Sequence, residues 1–318
     1  MNKKLTFFLQ YIVAIAIIIV ILSRINIFKL GNAFSSVAWW TIPSLAAATL
    51  ITMFVQGVRW WLLLRTFSDK ITFTRAIAYH FSSIFYSMIL PTSAAQEVIR
   101  TLFVVQKVGS AVSWGAAWIC KLTAILISLL FSLFGILYLS HTALPHGTLI
   151  GIIILFFLLI AAGFVSFSKN ITAPFRKIAT SFLPPGIVLK LENIREGIYQ
   201  YRTKKKDLLI TIVLTTFIQI VFVFNLALTI KGVSGSFFFW ECLAFMPIIE
   251  MISMAQPFTP NGMGVREALT TIMFQHLGLS KEQLGIYIIL TLSSTLLRLI
   301  GAGPIFYGMI KKQKASVS

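Results

Sequence analysis

Pro257-Phe-Thr-Pro-Asn-Gly-Met-Gly-Val-Arg-Glu267 cuts an apolar stretch that otherwise runs from 237 to 277. Its two prolines remove helical donors and its two glycines weaken helical backbone, so the stretch reads as two short helices joined by a non-helical turn. Lipid satisfies no peptide group, and unwound backbone in so apolar a segment therefore needs protein cover or a water-filled cavity. The GxG inside it is not a dinucleotide fingerprint, because no βαβ unit surrounds it. A second apolar stretch, 76 to 106, is broken in the same manner at Pro91.

Longer apolar runs flank the two breaks, at about 5–22, 39–64, 113–139, 148–166, 207–230 and 284–309. Each is long enough to cross a hydrocarbon core of about 30 Å with some tilt. The 318-residue chain is 58% hydrophobic with a mean hydropathy of +0.89, more apolar surface than a soluble core can hide. The fold expected is an all-α integral membrane protein: one transmembrane domain over 1–318, about six long helices, two broken or re-entrant hairpins and no soluble catalytic domain. The first run follows Lys3 and Lys4 and lacks an A-x-A-like cleavage site, so it reads as a retained span rather than a signal peptide. Cys120 and Cys242 fall inside apolar runs and read as packing residues.

A net charge of +18 suggests nucleic acid in a soluble protein. Here the basic residues gather in loops, where positive-inside bias and anionic lipid headgroups account for them, and no nucleic-acid partner is expected. The loop from 167 to 206 carries Lys169, Arg176, Lys177, Lys190, Arg195, Arg202, Lys204, Lys205 and Lys206, which places it in the cytoplasm. Lys3 and Lys4 at one end, and Lys311, Lys312 and Lys314 at the other, put both termini on the same side of a cytoplasmic (inner) membrane. Within that loop, Ile187 to Tyr201 has apolar residues at near-helical spacing; a helix lying on the membrane surface and a solvated connector both fit.

Counting crossings outward from this loop sends the stretch 76–106 in and out through the cytoplasmic face, and 237–277 in and out through the external face. Arg24 and Lys29 fall outside as exceptions to the charge rule. Span 39–64, the first hairpin and span 113–139 then form a unit that is inverted in span 207–230, the second hairpin and span 284–309, an arrangement found in many transporters. A faint echo accompanies it: Pro91 precedes Arg100 by nine residues, as Pro257 precedes Arg266.

Of only nine carboxylates, four (Glu97, Glu241, Glu250 and Glu267) lie in or beside the hairpins, and Arg59, Arg100, Lys121, Arg266 and Arg298 also fall within apolar segments. A charge at the bilayer centre costs roughly 2.5–3.5 kcal/mol on the insertion scale, so such groups face protein or water. Two readings follow. In one, the basic residues and half-helix ends hold an anionic group near mid-membrane while carboxylates balance or gate it. In the other, Glu97 with Arg100, and Arg266 with Glu267, are internal ion pairs, and Arg59 and Arg298 snorkel to an interface. The substrate-binding candidates are Glu97, Arg100, Arg266, Glu267, Arg59, Lys121, Glu250 and Arg298; the structural turns are Pro91, Pro257, Pro260, Gly262 and Gly264.

His80, His141, His146 and His276 are scattered, and no zinc motif, nucleophile elbow or Cys/His ligand spacing occurs. Enzymatic chemistry, a metal and a bound cofactor are therefore not expected. His141 and His146 read as external-loop residues, and His80 and His276 as interfacial packing groups at hairpin ends. Trp39, Trp40, Trp60, Trp61 and Trp240 fit interface belts.

At its two breaks the sequence resembles the lysylphosphatidylglycerol synthase transmembrane-region family, a flippase-like family also found as the membrane half of the multiple peptide resistance factor. Pro257 to Glu267 is similar to the family's late pattern of proline, glycine-x-glycine and glutamate, and Arg59-Trp-Trp-Leu-Leu-Leu-Arg65 to its early basic and apolar motif. The family's other pattern is a proline followed by two glycines, an acid and an arginine. Here it reads Pro91-Thr-Ser-Ala-Ala-Gln-Glu-Val-Ile-Arg100, with Ala95 and Gln96 where glycines are expected. The resemblance implies translocation of an anionic phospholipid or lipid-linked headgroup, or a membrane scaffold that serves a separate glycosyl- or aminoacyl-transferase. It does not imply aminoacyl transfer, which in the family belongs to a soluble C-terminal domain.

Overall fold

A computed structural model describes residues 37–90, 95–139, 195–255 and 262–304, with single positions at 19, 35, 154, 157, 192 and 259. The runs 5–22 and 148–166 lie outside the described residues, as do the turn residues Pro91, Pro257 and Pro260 and the histidines His141 and His146. Among the described residues all regular structure is helical: α1 (Thr41–Arg65), α2 (Phe73–Ile89), α3 (Ala95–Val108), α4 (Ser110–Leu139), α5 (Lys205–Ser234), α6 (Phe239–Ala255), α7 (Val265–His276) and α8 (Lys281–Thr295). The last continues as a 3-10 helix, Leu296–Gly301.

Among the described residues four segments are long and apolar enough to cross a membrane: α1, α4, α5 and Lys281–Pro304. They coincide with the runs read at 39–64, 113–139, 207–230 and 284–309. The stretches 76–106 and 237–277 hold shorter helices, α2 with α3 and α6 with α7, one on each side of the breaks read from proline and glycine. Gly262 (φ +74°) and Gly264 (φ +84°) take the left-handed backbone that the second turn requires.

A run of hydroxyl residues explains why the last span tightens into a 3-10 helix. Thr291 donates to the Tyr287 carbonyl at 3.0 Å, Ser293 to Ile289 at 2.7 Å and Ser294 to Thr291 at 2.7 Å. Such back-bonding competes with the α ladder, and the tighter pattern begins one residue after the run ends.

Two large cores and two smaller apolar clusters hold the described helices together. Trp60, Leu63, Leu64, Ala76, Val104, Ile119 and Cys120 bring together α1 to α4. Val223, Ile230, Cys242, Met246, Phe274, Leu284 and Ile288 bring together α5 to α8. Both cysteines are free and buried, as their positions in apolar runs suggested.

Between the cores, α1 runs antiparallel to α5. The Ala38 amide donates to the Gly232 carbonyl at 2.9 Å at one end, and Arg59 reaches Thr215 at the other. Two further crossings use a glycine to admit backbone: Gly135 of α4 sits on Ala244 of α6, and Gly301 of the 3-10 helix sits on the Phe81 carbonyl of α2. The outward faces of α1 and α5, with Ile42, Ile51, Phe54, Leu209, Val213 and Phe217 exposed, form an apolar jacket that suits hydrocarbon.

The described part of the stretch 187–201 is not a solvated connector. Residues 195–201 are helical and wedge against the bundle. Gly197 lies on Ala111 and Gly115 of α4, and the fully buried Tyr201 donates its hydroxyl to the Leu63 carbonyl of α1 at 2.8 Å. Its ring packs edge-on against Phe67, 4.7 Å between centroids.

Candidate functional site

The second break is built around a carboxylate. Glu267, third residue of α7, is 2% exposed, and its Oε2 accepts the Gly264 amide at 2.6 Å, reaching back to the N-cap as the glutamate half of a capping box does. Its Oε1 accepts from Nε and Nη2 of Arg266 at 3.1 and 2.8 Å. Nη1 of Arg266 points at Glu250 Oε1, 3.4 Å away on α6. Arg298, on the 3-10 helix, lies within electrostatic reach of both Arg266 and Glu250. Two cations therefore stand with two carboxylates, and the arrangement ties α6 to α7. The internal ion-pair reading holds here.

The first break is built differently. Arg59 is 6% and Arg100 2% exposed, and the two guanidinium groups act on one another electrostatically. Arg59 Nη1 donates to Thr215 Oγ1 on α5 at 2.7 Å. Arg100 rests over the Trp60 ring, 5.4 Å from its centroid. Among the described residues no carboxylate lies within ion-pair distance of either, and the Glu97–Arg100 pair read from sequence does not form. Glu97 is half-buried on α3 and within electrostatic reach of Arg59. Nε of Arg59, Nε of Arg100, Nε1 of Trp60, Nδ1 of His80 and Oγ1 of Thr101 are all buried without a hydrogen-bond partner. Such atoms cost about 1–3 kcal/mol each when left unmatched, and more when charged.

Three sequence expectations change. Arg59 does not snorkel: its partner Thr215 lies across the bundle, so the guanidinium is held inside. Trp60 belongs to no interface belt; it is fully buried beneath Arg100. In Arg59-Trp60-Trp61 the adjacent tryptophans point to different sides of α1, and Trp61 takes the outer position with its Nε1 donating to the Ile71 carbonyl at 3.3 Å. His80 sits in the middle of α2, not at a hairpin end, fully buried with Nε2 on the Met53 carbonyl at 3.0 Å. Trp39 is 84% exposed.

Lys121 links the two regions. It follows Cys120, which faces Arg59, yet its Nζ reaches Met254 Sδ near the end of α6 at 3.5 Å. Thr215, Trp60 and Thr101 were not legible as site residues, because each is ordinary for an apolar helix until its neighbour is known. Among the described residues no three His, Cys, Asp or Glu side chains gather as a metal site.

A family model described as the lysylphosphatidylglycerol synthase TM region matches residues 7–303. The chain belongs to this family. The match takes in α1 to α8, and the chain is a membrane protein. No curated protein and no solved structure matches it.

Proposed function

We propose that this protein binds the anionic headgroup of a phospholipid or lipid-linked molecule at the first break and passes it across the cytoplasmic membrane without covalent change. One observation carries the reading: Arg59 and Arg100 are buried in an apolar bundle with no carboxylate in ion-pair reach among the described residues. Buried guanidinium groups without counter-ions are costly, and a transported anion offsets that cost while it occupies the site. Glu97 orients or screens the pair. Glu250, Arg266, Glu267 and Arg298 form the second station, where matched charges hold the external hairpin closed, and Lys121 stands between the two stations.

Topology supports a carrier. The hairpin helices are short: α2 and α6 have 17 residues each, about 26 Å of helix, below the roughly 30 Å of a hydrocarbon core. Re-entrant hairpins of opposite direction, related by an inverted repeat, account for this and for the two crossings at Gly135 and Gly301, each between a long span and the opposite unit's hairpin. With the basic loops inside, Arg100 lies nine residues before the cytoplasmic turn at Gly109, about 14 Å into the membrane.

Proteoliposomes bearing headgroup-labelled anionic lipids test the reading. The intact protein is expected to make the protected label accessible, and Arg100→Gln to slow this by about 10- to 100-fold, the worth of one charge-assisted hydrogen-bonded contact. If no lipid moves in any panel member, translocation is wrong and a scaffold role beside a separate transferase takes its place.

A further inference from the structure

The two halves of α6 differ in how firmly they are held, and a proline stands between them. Pro247 is the middle residue of the helix. It has no N–H, so the Leu243 carbonyl receives no helical hydrogen bond from it and the ladder is weakest there. Before the proline the helix is fixed on two sides. Cys242, Leu243 and Met246 are buried in the core shared with α5, α7 and α8, and Ala244 lies so close to Gly135 of α4 that the glycine has no room for a Cβ. After the proline, Ile249 and Ser253 are buried, but Ile252 is 48% and Met254 43% exposed.

The contacts that hold this second half are soft ones. Glu250 meets Arg266 at 3.4 Å, with the two side chains 25% and 22% exposed. Met254 offers Lys121 only a thioether, a weak acceptor, at 3.5 Å. Ser253 lies against Gly262, whose left-handed backbone gives the chain a second place to turn. We infer that Pro247 is a hinge and the Glu250–Arg266 pair its latch: when the pair parts, the half-helix 248–255 swings away from α4 and α7, while 239–246 stays packed.

The charges around the latch allow it to open. Arg266 keeps Glu267 at 2.8 Å when Glu250 leaves, so no guanidinium is stranded. Glu267 also keeps the Gly264 amide, so α7 retains its first turn. Glu250 has a second cation to turn to, because Arg298 lies within its electrostatic reach. A carboxylate placed between two arginines gives the half-helix two positions rather than a continuous range. The swing also parts Met254 from Lys121 and frees that ammonium. This movement belongs to the second break and does not depend on the headgroup reading of the first.

The test is the labelling rate of single thiols by N-ethylmaleimide in the full chain, purified in detergent. Ser253→Cys, in a chain carrying Cys120→Ala and Cys242→Ala, puts a thiol at a buried position past the hinge. Cys242, kept as the sole thiol in a chain carrying Cys120→Ala, reports the half before it. When opening and closing are fast relative to labelling, the rate follows the population of the open form. Glu250→Gln is expected to speed labelling of the Ser253→Cys thiol by about two- to fivefold, the worth of one partly exposed ion pair, and to leave Cys242 unchanged. Pro247→Ala restores the missing donor and is expected to return the Glu250→Gln rate to that of the parent or below.

An unchanged rate at the Ser253→Cys thiol with Glu250→Gln overturns the latch. Equal acceleration at Cys242 overturns the half-helix movement, because the whole of α6 has then loosened. A raised rate that persists when Pro247→Ala is added overturns Pro247 as the hinge. The expected labelling pattern with no lipid movement in vesicles sustains this inference and overturns translocation; lipid movement without that pattern does the reverse.

Discussion

At the second break Arg266 lies 2.8 Å from Glu267 and 3.4 Å from Glu250, whereas at the first Arg59 and Arg100 are buried with no carboxylate in ion-pair reach among the described residues. The residue types are nearly the same: arginines, glutamate, proline and apolar helix ends. Their states are opposite, one region closed on itself and the other lacking a negative partner. The equal spacing of Pro91 to Arg100 and Pro257 to Arg266 hides this. Arg266 is the second residue of α7, beside the cap, while Arg100 lies at least five residues into α3. An equal count along the chain is not an equal position in the fold, and an arginine in a membrane helix is a ligand site or a brace according to what stands beside its Nε edge.

The largest effect that can break this comparison is at Glu267. Glu267→Ala removes the cap of α7 and half of the charge around the partly buried Arg266, and is expected to cost about 2–4 kcal/mol. Cys120 and Cys242 are both buried and free, so thermal unfolding in detergent can be followed with a thiol-reactive dye; a shift of only a degree or two means Glu267 is not a brace.

Next come the two glycine crossings. Gly135→Leu and Gly301→Leu each force a side chain into opposing backbone, on Ala244 and Phe81 respectively, and each is expected to cost about 1–3 kcal/mol or more. Comparable losses sharpen the idea of two related halves. Tolerance of one and not the other breaks it.

Arg100→Met carries the opposite sign. It removes an unpartnered buried guanidinium while keeping a long side chain over Trp60, so stability is expected to stay level or rise by up to about 2 kcal/mol, even as anion binding is lost. A loss as large as that of Glu267→Ala would reveal a counter-ion for Arg100 and erase the contrast between the breaks. Tyr201→Phe, which deletes one hydrogen bond to Leu63, has the smallest expected effect, about 1 kcal/mol. Its use is as a control: the 195–201 segment packs on α1 and α4, and its loss should leave the second break untouched, as read by unchanged reactivity of Cys242 in the folded protein.

The sequence by itself determined the membrane class, four of the spans, the two broken hairpins and the short list of ionisable residues. Each of these follows from local rules. Hydropathy over some twenty residues decides whether a helix belongs in lipid, proline and glycine decide where its ladder stops, and an ionisable group in such a run is costly wherever it ends up. The same rules failed at Trp60, His80 and the 187–201 stretch, where identical local patterns fit either an outward or an inward face.

Tertiary structure alone decided which charges are matched. The partner of Arg59 is 156 positions away, that of Tyr201 is 138, and that of Arg266 on α6 is 16. Helix crossings set by Gly135 and Gly301 bring Lys121 toward Met254 and leave Arg59 and Arg100 facing each other without an acid between them. Charge pairing depends on the distance and direction of side chains from different helices, and those are fixed by how the helices pack.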